Sequence, residues 1–132
     1  MRTVIDHVGF AVADAERSRL FYERALAPLG LTRILSIPPG VTEAGGASHG
    51  FGRDGQAFFW VGKGDAAAAG THIAFVAETR RAVDAFYTAA LAAGGQDNGA
   101  PGVRLHYDPN YYGAFVLDPD GNNVEAVCRT AP

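Results

Sequence analysis

The stretch His7-Val-Gly-Phe-Ala-Val-Ala, followed by Phe21-Tyr22, Leu26 and Gly30, recurs in the chain. The second copy is His72-Ile-Ala-Phe-Val-Ala-Glu, followed by Phe86-Tyr87, Leu91 and Gly95. Each matched pair is separated by the same 65 positions. An internal repeat kept in register over this distance organises the chain as two copies of one supersecondary unit. The first module covers about 1–64 and the second about 70–128, within one domain spanning 1–132.

Each copy opens with the alternation of a half-buried strand. Val8, Phe10 and Val12 fall on one side, with His7, Gly9 and Ala11 on the other. In the second copy Ile73, Phe75 and Ala77 face the packing side and His72, Ala74 and Val76 the opposite one. The two histidines therefore occupy equivalent faces. An amphipathic helix follows each strand, from Ala15 to about Leu26 and from Thr79 to about Ala93. Asp14 is suited to cap the first helix, and Gly94-Gly95 to stop the second.

Short strands broken by turns complete each half. In the first they are expected over Thr32 to Ile37, His49 to Gly52 and Gln56 to Val61, with breaks at Pro38-Pro39-Gly40 and Asp54-Gly55. In the second they are expected over Arg104 to Tyr107, Tyr112 to Leu117 and Asn123 to Cys128, with Asp118-Pro119-Asp120-Gly121 as a turn. Gly64 to Gly70, rich in Ala and Gly, reads as the linker. The result is an α+β fold of two paired βαβββ modules.

Composition removes several functional classes. A net charge of −3, with the eleven Lys and Arg residues dispersed along the chain, gives no electrostatic footprint for nucleic acid or an acidic membrane. No apolar run approaches the roughly 20 residues that cross a bilayer. A lone cysteine, Cys128, cannot form an internal disulfide, and the N-terminal stretch lacks the apolar core of a signal peptide. A cytoplasmic address is expected.

The chemistry-bearing residues converge on the repeat. In the last strand Val124, Ala126 and Cys128 share one face and Asn123, Glu125 and Val127 the other. Glu125 thus sits in a segment prepared for burial, where a carboxylate needs a partner. If the modules pair about a pseudo-twofold axis, His7 and His72 approach each other and Glu125 completes a three-ligand set. Two histidines and a carboxylate suit Fe(II), Mn(II), Zn(II) or Ni(II), with positions open for substrate. The competing reading has each histidine satisfied by a backbone group and Glu125 paired with Arg104 or Arg129.

The first-module counterpart of Glu125 is Phe59 when the Asp-Gly turns are aligned, or Trp60 by the 65-residue offset. Neither ligates metal, so the site is asymmetric, with an aromatic ring on one wall. The stretch His106-Tyr107-Asp108-Pro109-Asn110-Tyr111-Tyr112-Gly113 is dense in hydrogen-bonding aromatics and is expected beside Glu125. Its tyrosines either contact substrate or cover apolar surface. His49, on a Gly-rich loop, is expected at the surface rather than in a catalytic role.

These residues resemble the vicinal oxygen chelate superfamily, also called the glyoxalase, bleomycin-resistance and extradiol dioxygenase superfamily. The resemblance is carried by Asp6-His7-Val-Gly-Phe-Ala-Val-Ala-Asp14, Thr71-His72-Ile-Ala-Phe75 and Leu117-Asp-Pro-Asp-Gly-Asn-Asn-Val-Glu125, and it covers essentially the whole chain. It implies that His7, His72 and Glu125 fill the metal-ligand positions of the metal-dependent members, which bind substrate oxygens to the metal. It also implies a homodimer, since such modules commonly complete their sheets and sites across a second subunit.

A fourth ligand, the first-module glutamate of glyoxalase I, is replaced here by Phe59 or Trp60. The three-ligand set resembles instead extradiol dioxygenases and fosfomycin-resistance thiol transferases. Against the latter, Gln96 to Tyr112 offers only Arg104 as a cation, whereas a phosphonate asks for several. The reading is a divalent-metal-dependent lyase, isomerase or dioxygenase acting on a small oxygen-chelating substrate. His106, Tyr111 and Glu125 are its candidate catalytic residues, and Phe59, Trp60, Arg104, Tyr107 and Tyr112 its candidate substrate contacts. The alternative from another class is a metal-free protein that sequesters a small molecule, as the bleomycin-resistance members do.

Overall fold

The computed structural model describes residues 4–41, 46–64 and 71–132. The linker expected over Gly64 to Gly70 lies, from residue 65 onward, outside the described residues. Eight strands and two helices follow in the order β1 (Val8–Val12), α1 (Ala15–Leu26), β2 (Thr32–Ile37), β3 (Ser48–Arg53), β4 (Gln56–Lys63), β5 (His72–Val76), α2 (Arg80–Ala92), β6 (Gln96–Val103), β7 (Tyr112–Leu117) and β8 (Asn123–Cys128). A 3-10 turn, Ala27–Leu29, extends α1.

The strands form two four-stranded mixed sheets with the same internal order, β1-β4-β3-β2 and β5-β8-β7-β6. In each, the opening strand runs parallel to the last and the other neighbours are antiparallel. The repeat is thus a repeat of topology. Parallel neighbours cannot be joined by a tight turn, and here a helix and two strands supply the long connection between them.

Both helices begin where a polar side chain meets free amides. Asp14 Oδ1 accepts from the Arg17 N–H at 3.1 Å, and Thr79 Oγ1 from the Ala82 N–H at 3.0 Å. Phe21, Tyr22, Ala25 and Leu26 on α1, and Val83, Phe86 and Ala90 on α2, are buried. They cover the sheet faces carrying Val12, Phe59 and Val61 in module 1 and Val116, Val124 and Ala126 in module 2. The opposite faces remain free to carry chemistry. Phe59 stands edge-on to Phe75 at 5.2 Å, tying the two modules through one aromatic contact.

A second tie is polar. Asp118 is buried and accepts from the Tyr22 hydroxyl of the other module, while its remaining oxygen takes the N–H groups of Asp120 and Asn122. Asp120 accepts from the Ala13 N–H at 3.0 Å and the Ser18 hydroxyl at 3.3 Å. The Asp-Pro-Asp-Gly-Asn turn is therefore a latch between β7–β8 and the start of α1.

Two sequence expectations are corrected. The strand expected over Arg104 to Tyr107 is instead β6, Gln96–Val103, and residues 105–107 form a turn. Asn98, Gly99, Pro101 and Gly102 have poor strand propensity, but an edge strand tolerates them, and β6 is irregular at Gly99. His49 is not a surface residue. It lies in β3, 8% exposed, with Nδ1 2.7 Å from Ser36 Oγ. Its strand position puts it on the α1 side of the sheet, opposite Val61.

Candidate functional site

Register decides which side chains share the uncovered faces. In module 2 Glu125 lies opposite Ala74 on one side and Phe115 on the other, and His72 opposite Asn123. Directly paired residues point the same way, so His72, Glu125 and Phe115 stand together on the face away from α2. The corresponding pairs in module 1 are Trp60 with Gly9 and with Gly50. Trp60 is thus the counterpart of Glu125. Phe59, the other candidate, has its ring fully buried on the helix side, between Phe10, Tyr22 and Phe75.

His72 Nε2 is 3.1 Å from Glu125 Oε1. His72 Nδ1 is 3.0 Å from the carbonyl oxygen of Asn123. A carbonyl only accepts, so Nδ1 carries a proton, and Nε2 is the nitrogen that faces the carboxylate. Two acceptors at this distance repel unless a proton or a cation lies between them. The second carboxylate oxygen, Oε2, accepts from the Tyr111 hydroxyl, and the Glu125 side chain is only 2% exposed. Burial and the bond to Glu125 push the Tyr111 hydroxyl pKa up to about 12, keeping it a donor. Neither Arg104 nor Arg129 pairs with Glu125. Arg129 lies 4.8 Å over the Tyr111 ring instead.

Gly113 shows how tightly this pair is held. A Cβ there would come within 3.2 Å of both Glu125 Oε2 and the Tyr111 ring. Phe115 backs the histidine, its ring centroid 6.2 Å from that of His72 with the planes 25° apart. Neither residue was singled out from sequence. The period-two rule that placed Glu125 would have found both, since Gly113 and Phe115 alternate with the helix-facing Ala114 and Val116.

His7 stands apart. It immediately precedes β1, is 60% exposed in its side chain, and places Nδ1 2.7 Å from Asp6 Oδ1. It lines a cavity of about 670 Å³ with Phe58, Ala74, Val76, Arg53 and Gln56. Among the described residues of one chain, no three His, Cys, Asp or Glu side chains converge where an ion could be held. The structure thus brings His72, Glu125 and Tyr111 together without His7.

The other candidates separate cleanly. Tyr112 lies on the α2 side, its hydroxyl donating to Asp84 at 2.6 Å and Arg80 over its ring, so it does not face the site. His106 is exposed on the turn, its ring tilted 45° against that of Tyr107 at 4.1 Å, and Tyr107 in turn lies 4.9 Å from Tyr111. It approaches Glu125 only through two intervening rings. Arg104 sits over Phe115 at 5.3 Å, on the face of the candidate site.

Residues 4–126 match the model of the Glyoxalase/Bleomycin resistance protein/Dioxygenase superfamily. The chain belongs to this superfamily. Among solved structures it resembles a glyoxalase/bleomycin resistance protein from Albidiferax ferrireducens, with 28% identity, a TM-score of 0.74, and coverage of 97% of this chain and 100% of that one. It also shares its fold with the fosfomycin resistance protein FosX from Listeria monocytogenes, at 19% identity, TM-score 0.69 and coverage of 98% and 96%. A glyoxalase I variant from Zea mays matches at 19% identity and TM-score 0.68, with 97% of this chain aligned to 45% of that one. No curated protein matches the chain significantly. Among the described residues no helix is long and apolar enough to cross a membrane.

Proposed function

We propose that the chain is a divalent-metal-dependent enzyme of lyase, isomerase or dioxygenase type. It works as a cytoplasmic homodimer on a small oxygen-chelating substrate. Each metal is held by His72 and Glu125 of one copy and His7 of the other.

One observation carries the reading: His72 Nε2 and Glu125 Oε1 face each other at 3.1 Å while Nδ1 and Oε2 are each engaged elsewhere. Ligand atoms about 2.0–2.2 Å from one ion, at tetrahedral to octahedral angles, lie about 2.8–3.6 Å apart, so the pair fits a cation between them. The donor set of two imidazoles and a carboxylate suits Fe, Zn, Ni or Mn. His7 fits the same logic, because Asp6 occupies its Nδ1 and leaves Nε2 for the ion. Its separation from the pair within one chain is the reason to draw it from a second copy.

When bound, the metal acts as a Lewis acid toward the substrate oxygens. The chain's own residues supply the rest. Asn123 and Phe115 orient His72, and Tyr111 holds Glu125 through Oε2 so that Oε1 points at the ion. Trp60 forms the facing wall, where its ring excludes water from one side of the substrate.

Elemental analysis of the purified protein tests the reading, with about one transition metal per chain expected. A mixing experiment tests its geometry. His7→Ala and Glu125→Ala proteins each bind no metal alone, but co-refolded they recover roughly a quarter of the wild-type content, the share random re-pairing gives in a twofold dimer. Metal in wild type with no recovery on mixing would place each site within one chain. No metal in wild type, even after reconstitution, would leave the metal-free binding protein as the better account.

A further inference from the structure

We infer that Arg104 is an anion receptor beside the proposed metal, and that the substrate carries a carboxylate in addition to its chelating oxygens. The inference rests on the reading of this sheet face as a small-molecule site and names the class of molecule it accepts.

The guanidinium is built into place. Nη1 donates to the Gly102 carbonyl and Nη2 to the Ala100 carbonyl, each at 2.8 Å, and the group lies 5.3 Å over the Phe115 ring. Those two bonds leave three of its five N–H groups. The edge strand is shaped to admit it. Gly99 has φ +151°, and a Cβ there would come within 2.9 Å of the Phe115 ring and 3.2 Å of Arg104 Nη2. Side chains are excluded from the place the arginine needs.

Its charge is not spent on the protein. Arg17, Arg19 and Arg33 each pair with a carboxylate, whereas among the described residues Arg104 has none. A guanidinium braced by backbone carbonyls, stacked on an aromatic ring and lacking an acidic partner is a fixed fork for two oxygens. The same Phe115 ring that carries Arg104 is stacked with His72. Anion and chelating oxygens are thus received on either part of one aromatic platform. One fixed guanidinium matches the single charge of a carboxylate better than the two charges of a phosphate or phosphonate.

Benzoate and its neutral counterpart benzamide are the probes, titrated into metal-free protein by ligand-observed NMR at low salt. Benzoate is expected to bind at least tenfold more tightly than benzamide, and Arg104→Gln to abolish that preference. Equal binding of the two probes by wild type, or a preference surviving Arg104→Gln, would overturn the assignment. The wild-type comparison decides even if the variant folds poorly. Zinc with 3,4-dihydroxybenzoate then separates the two readings. The gain from the added hydroxyls should vanish in Glu125→Ala, while the benzoate preference persists. A lost gain in wild type would count against the metal alone.

Discussion

The two modules share one topology and one register, yet their uncovered faces differ in kind. Module 2 presents His72, Glu125, Tyr111 and Phe115, with each polar atom turned by a specific neighbour. Module 1 presents Trp60, whose cross-strand neighbours are Gly9 and Gly50, and keeps His7 at the solvent end of its first strand. The same scaffold occurs twice with its uncovered faces put to different use. One face carries the His72–Glu125 pair and the other an aromatic wall with His7 at its edge. A two-module fold can make this division because the helix-facing residues hold the core while the opposite face contributes little to it.

Truncating the two counterpart side chains should affect the two faces differently. If Glu125 is the anionic ligand proposed, Glu125→Ala should weaken metal binding by at least about a hundredfold. Trp60→Ala, at the equivalent register position, should leave metal content unchanged and weaken substrate binding instead. Equal metal loss in both would erase the distinction between the faces. The measurement is competitive titration of the apo proteins with a chromophoric chelator.

Tyr111→Phe probes whether the orientation of Glu125 matters beyond its presence. Removing the hydroxyl frees Oε2 in a buried setting, and such supporting partners typically carry about 10–100-fold in metal affinity. The same chelator competition should show the loss, together with a modestly lower thermal midpoint of the apo protein, because a buried carboxylate oxygen is left without its donor. A large drop in stability with intact metal affinity would recast Tyr111 as a core residue. Trp60→Glu runs the comparison in reverse by placing a carboxylate at both equivalent positions. If the faces meet across two copies, metal affinity should rise on the order of tenfold, as expected for one added anionic ligand.

Much of this arrangement was legible in the sequence. The 65-residue offset located both strand-helix openings, and Asp14 capped the helix it was expected to cap. The offset also pointed to Trp60, where the turn-based alignment pointed to Phe59. The turns mislead because they are built differently. Asp54 and Gly55 both have positive φ in a tight hairpin, whereas the turn at Asp118 is longer and spends its carboxylates on the other module. That latch was invisible locally, since its partners Tyr22 and Ser18 lie about a hundred residues away in the chain. β6 was missed because its Gly and Pro residues carry no strand signal. The separation of His7 from His72 depends on how two sheets sit beside each other, and periodicity within a strand is silent on that.

The smallest expected effect comes from a third difference between the modules. Module 1 buries His49 in β3, and the residue at the same offset in β7 is Ala114. Burial, with the nearby Arg19 guanidinium, holds the His49 pKa below its ordinary 6.5. Between the folded and unfolded values the unfolded chain binds more protons, so stability rises with pH across that window. The contribution is present in full above about pH 6.5 and is lost as the pH falls toward the folded value. His49→Gln keeps a polar group beside Ser36 but cannot titrate. Urea midpoints measured from pH 7.5 to 5.0 should therefore fall more steeply for wild type than for this variant, by an amount that vanishes above neutrality. Carboxylates protonating at the acid end act on both proteins alike, so the difference isolates the histidine. Parallel curves would mean that His49 accepts its proton inside the fold at little cost, and that the modules are equally tolerant of acid despite burying different residues.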